Sequence, residues 1–160
     1  MKPTPEIAVA LAPLFGLPMW EAGFAGDIAW FQFGAAVTRP DYHGGTRVVG
    51  QYALHLSCPW RWVASSGLVR ADETSSHETL QTLGKDRPCL NRADVADDGT
   101  IALRFGNGDL LLVDMPGDGA AEVGMPGDGD EEVEYWRLFQ PGSVAPHFVV
   151  SSSGAEWHEA

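Results

Sequence analysis

Residues 47–63 read RVVGQYALHLSCPWRWV, and the reading of this stretch decides the fold. Strand alternation sets Tyr52, Leu54, Leu56 and Cys58 on one face and Ala53, His55 and Ser57 on the other. Proline has no N–H to give to a ladder, so the strand bends, bulges or ends at Pro59. Beyond it Trp60 and Trp62 point one way, and Arg61 and Val63 the other.

Upstream, MWEAGFAGDIAWFQFGA (19–35) predicts two strands about a Gly26–Asp27 turn. Ile28 and Trp30 share one face of the second strand, Phe31 and Phe33 the other, so both faces are apolar. Such a strand is central and covered on both sides. RPDYHGGTR (39–47) is rich in turn formers and reads as a loop. PEIAVALAPLF (5–15) reads as a short helix disturbed by Pro13. The first twenty residues carry Glu6 and several prolines and lack a clean apolar core, so they read as a mature terminus, not a secretion signal.

Downstream, the SSG turn at 65–67 leads into LVRAD. Residues 72–84, DETSSHETLQTLG, predict a helix capped by Ser75 or Ser76, with Glu78 in its first turn and Gly84 at its end. A meander follows: RADVA, the turn DDG, TIALRF, the turn GNG, then DLLLVD. Asp-Gly and Asn-Gly between alternating apolar runs are strong hairpin signals. EEVEYWRLF, a QPGS turn and PHFVV come next, and GAEWHEA (154–160) is either a last short strand or a frayed tail. The expectation is one α+β domain over residues 1–160. It would hold about eight short strands of mostly antiparallel sheet, with two short helices.

The net charge of −12 is confined. Residues 1–93 hold eight acids and eight bases. Residues 94–160 hold fourteen acids against Arg104 and Arg137. Such a field repels nucleic acid and anionic membrane and steers a basic partner to the C-terminal half. No apolar run approaches the roughly 20 residues that span a bilayer. Cys58 and Cys89 make no disulfide framework and fit a reducing cytoplasm.

MPGDGAAEVG (115–124) and MPGDGDEEVE (125–134) agree at seven of ten positions. A solenoid needs at least about three units, so two copies do not make a repeat fold. Asp114, Asp118, Asp128, Asp130, Glu131 and Glu132 are clustered hard oxygen ligands, but neither copy has the spacing of an EF-hand loop; with Glu122 they make up the acidic face of this stretch. With Pro-Gly turn centres between two convincing strands, 115–132 reads as an acidic loop lengthened by tandem duplication, a candidate docking surface.

His55 and Cys58 spell H-x-x-C, yet three residues apart on a regular strand they point to opposite faces and do not chelate one zinc ion. No G-x-S-x-G elbow, phosphate cradle or basic patch with interleaved aromatics occurs. No catalytic residue, metal or cofactor is expected. His55, Ser57 and Arg61 beside Trp60 and Trp62 form a candidate site for an anionic or planar ligand, because a guanidinium forks to carboxylates and stacks on rings.

YALHLSCPWRWV (52–63), with EYWRLFQPG (134–142) and PHFVV (146–150) downstream, resembles a group of small bacterial proteins that share a YALHxxCPWR strand. That resemblance implies no activity and transfers no catalytic residue. In size, acidity and α+β pattern the chain is also similar to immunity proteins that neutralise bacterial toxins. The expected function is therefore non-enzymatic: an acidic cytoplasmic binding protein that docks a basic partner such as a nuclease-type toxin. The alternatives are a small-molecule-binding or enzymatic domain around His55, Ser57 and Arg61, and a structural module self-associating through exposed tryptophans. The sequence leaves monomer and homodimer open.

Overall fold

The computed structural model describes residues 4–41, 43–115 and 132–159. In it the 47–63 stretch belongs to two sheets. One strand runs Thr46–Leu56 and the next Trp60–Val63, and the chain passes between sheets at residues 57–59. Ser57 N–H still donates to the Tyr135 carbonyl of the first sheet at 2.8 Å. Two residues on, the Pro59 carbonyl accepts from Asp114 N–H of the second at 2.9 Å. Proline fits this joint because no ladder there asks it for an N–H.

In chain order the elements are α1 (Thr4–Leu11), β1 (Met19–Ala25), β2 (Ile28–Pro40), β3 (Thr46–Leu56), β4 (Trp60–Val63), β5 (Val69–Asp72) and α2 (His77–Leu83). Then come β6 (Leu90–Val95), β7 (Ile101–Phe105), β8 (Leu110–Val113), β9 (Glu134–Phe139), β10 (His147–Ser151) and β11 (Gly154–His158). One sheet has the order β1-β2-β3-β9-β10-β11, the other β5-β4-β8-β7-β6, and every pairing is antiparallel. Among the described residues the chain is thus mostly antiparallel β with two short helices, as expected, and the strands number eleven instead of about eight. The crossing at Pro59 splits one long β signal into two strands, and 154–158 is a paired strand, not a tail.

The sheets face each other through one core. Phe31 of β2 lies edge-on to Trp60 at 5.5 Å and stacks on Trp62 at 6.3 Å, and Phe33 meets Phe105 of β7. Leu54 and Leu56 of β3 and Trp136 and Leu138 of β9 extend that face. Each large side chain taken fully out of water contributes about 2–3 kcal/mol. β2 is internal, as its two apolar faces predict, but its second face is only partly covered: Trp30 is half-buried and meets His77 edge-on at 6.1 Å. The loop expected at 39–47 shrinks to 41–45, where the Asp41 carboxylate accepts N–H bonds from His43 and Gly45 at 2.8 and 3.1 Å.

Both helices close the sandwich. α1 buries Ile7, Ala10 and Leu11 near β6 and β11 and tightens into a 3-10 turn at Ala12–Leu14, around Pro13. α2 starts at His77, directly after Ser76, which caps it by accepting from Thr79 N–H at 3.2 Å. Gly84 ends it; a Cβ there would meet the Trp20 backbone at 2.6 Å. Among the described residues no helix is long and apolar enough to cross a membrane.

Candidate functional site

Because β3 and β4 lie in different sheets, the five residues of the candidate ligand site separate. Trp60 and Trp62 are core, at 2 % and 0 % exposure. His55 has the opposite parity to Leu54 and Leu56 and stands on the outer face of the six-stranded sheet. Arg61 has the opposite parity to the two tryptophans and stands exposed on the outer face of the other sheet, across from Asp72. Ser57 is exposed at the crossing. His55 and Arg61 are not brought together.

His55 belongs to a cluster that its own strand does not reveal. Its ring meets Phe139 edge-on at 4.7 Å, and His147 stacks on Phe139 at 4.7 Å. Arg137 donates to His147 Nδ1 at 2.8 Å and forks onto Glu134 at 3.0 and 2.6 Å. Burial and the Arg137 charge push the His55 imidazole down to about 4, and the same two causes lower His147. These histidines stay neutral near pH 7. A neutral imidazole keeps one N–H donor and one acceptor nitrogen, and at His147 the acceptor is the Nδ1 that Arg137 holds.

Ser57 and Trp60 instead line a surface cleft of about 440 Å³ at one end of the sandwich. Three stretches of chain build it. The β1–β2 hairpin supplies Phe24 and Asp27, the β3–β4 crossing and the start of β4 supply Ser57, Cys58 and Trp60, and the approach to α2 with its first residue supplies Glu73, Ser75 and His77. The His77 ring lies directly over Gly23, a place that any Cβ would take from it. Its Nδ1 accepts Phe24 N–H at 3.0 Å, which leaves the ring proton on Nε2. Asp27 and Glu73 have no ion-pair partner among the described residues. Burial, with the Asp114 and Glu73 carboxylates nearby, pushes the Cys58 thiol up to about 12. It is inert as a nucleophile at neutral pH. Two carboxylates without an ion partner, lining a cleft together with Phe24 and Trp60, suit a cation. Among the described residues no group of three His, Cys, Asp or Glu side chains is placed to hold a metal ion.

Of the acidic docking residues, Asp118, Glu122, Asp128, Asp130 and Glu131 lie outside the described residues. Asp114 follows β8 beside the crossing, and Glu132 accepts from Ser151 Oγ at 2.6 Å. Phe24, Asp27, Glu73 and His77 carry no motif along the chain: each falls in or beside a turn whose own residues explain it. No protein-family model, curated protein or solved structure matches the chain.

Proposed function

We propose that the chain is a non-enzymatic binding protein that docks a basic partner protein, whose lysine or arginine side chain enters the cleft between Asp27 and Glu73. The observation that carries this reading is the cleft: Asp27 and Glu73, without an ion-pair partner among the described residues, line it together with Phe24, Trp60 and an unreactive thiol. The charge excess of residues 94–160 supports it by drawing a cationic surface in and orienting it. Immunity-type neutralisation of a nuclease-like toxin is a role of this kind. Two free thiols accord with a reducing compartment.

A titration with an arginine-rich basic peptide, followed by calorimetry at low and high salt, tests the reading. Binding should weaken at least about tenfold as salt screens the charges, and Asp27→Asn with Glu73→Gln should weaken it further at unchanged melting temperature. Salt-insensitive binding would sink the proposal. The cleft's volume also suits a small ligand, since such pockets run from about 300 to 1,000 Å³. Tight binding of a free guanidinium or amine compound without any preference for protein partners would favour that second reading.

A further inference from the structure

β11 ends the six-stranded sheet, and its outer edge pairs with no strand among the described residues. The Ser152–Ser153 turn makes Ser151 and Gly154 the closing hydrogen-bonded pair of the β10–β11 hairpin. Alternation from that pair directs the N–H and C=O of Ala155 and Trp157 away from β10, to the open edge. Protein edges are commonly blunted by lysine, proline or a bulge; GAEWH contains neither residue and pairs with β10 without a register shift. Trp157 is 57 % exposed, although its ring also lies 5.1 Å from Phe148. Beside it a groove of about 270 Å³ runs between β11 and α1, bordered by exposed Val9.

We propose that this edge pairs antiparallel with the same strand of a second copy, joining two sandwiches through one continuous sheet. The strand is complementary to itself in the register centred on Trp157. There the two Trp157 backbones exchange a pair of hydrogen bonds, and their rings cover one another on the core side. On the opposite side Glu156 of each copy faces His158 of the other, a carboxylate against an imidazole donor. Within one chain the same two groups already meet at 3.0 Å. A register centred on Glu156 would oppose two carboxylates and is disfavoured. Each copy carries −12, so bulk repulsion opposes the dimer and salt strengthens it. That is the reverse of the salt response of docking to a basic partner, so the two proposals fail separately.

Analytical ultracentrifugation of the full chain over a wide concentration range, in low and high salt, is the test. A monomer–dimer equilibrium that tightens with salt is expected. Glu156→Lys, on an exposed site, should raise the dissociation constant about tenfold or more, and Glu156→Lys with His158→Glu should restore it by exchanging the pair. Trp157→Ser should abolish the dimer with the circular dichroism spectrum unchanged. A chain that stays monomeric at high concentration and high salt would overturn the proposal, as would a dimer indifferent to both Glu156→Lys and Trp157→Ser.

Discussion

Arg70 and Arg137 stand in different sheets, and each meets one carboxylate. Arg70 donates to Asp109 Oδ2 at 2.9 Å, and the buried Trp62 indole donates to the same oxygen at 2.9 Å. Asp109 is 6 % exposed and sits at the GNG turn, where it joins β5, β4 and the β7–β8 hairpin. Arg137 grips Glu134, a partner about a third exposed, and turns its third nitrogen to neutral His147. The first arrangement is a buried cross-link, in which each member is costly to leave alone. The second lies where water reaches the carboxylate, so the ion pair itself contributes little, while its charge suppresses protonation of the histidines beside it.

The contrast breaks most sharply at Asp109. Asp109→Ala leaves a buried indole N–H and a half-buried guanidinium without an acceptor, and should cost about 2–4 kcal/mol in urea unfolding. A loss below about 1 kcal/mol would mean that water replaces the carboxylate freely.

A smaller effect belongs to His55. Its unfolded form takes a proton below about 6.5, its native form only near 4, so the unfolded state binds more protons in that window. Stability should therefore fall as pH drops from about 6.5 to 4, by about 1–2 kcal/mol after solvent screening. Repeating the unfolding series on His55→Gln should flatten part of the slope, and an unaltered slope would assign it to other groups.

The smallest effect is at Glu134. Glu134→Gln removes the partner of Arg137 but should change stability by less than about 1 kcal/mol at pH 7. Its signature lies in titration: the NMR-detected midpoints of His55 and His147 should drop, because the Glu134 charge raises both. Midpoints that stay put would remove Glu134 from the cluster's electrostatics.

Much of this frame was legible residue by residue. The alternation of Tyr52 to Cys58, the Ser76 cap and the Asp-Gly and Asn-Gly turns are local rules, and the local rules held. Pro59 was legible as an interruption, but not as a change of sheet. A period of two carries facing information along one strand, and that information ends where the ladder does. Hence His55 and Arg61, six residues apart in a run that looks continuous, lie on opposite outer surfaces. Phe139 and His147 reach His55 only through the β3–β9 pairing, which no short-range pattern announces. The cleft was hidden for a related reason, since its carboxylates come from separate turns that meet only in space.

The strand order has a consequence for a chain emerging from the ribosome. β1, β2 and β3 form consecutive hairpins and can pair as soon as they appear, yet the far side of β3 takes β9 as its neighbour. Everything from β4 to β8 is made in between. During that interval Ala53 to Leu56 expose an unpaired edge on the nascent chain, the kind of edge that recruits a wrong strand. The crossing at Pro59 sets β4 over the inner face of the half-built sheet, so Trp60 and Trp62 can shelter Phe31 early. Only the arrival of β9 ends the exposure of β3.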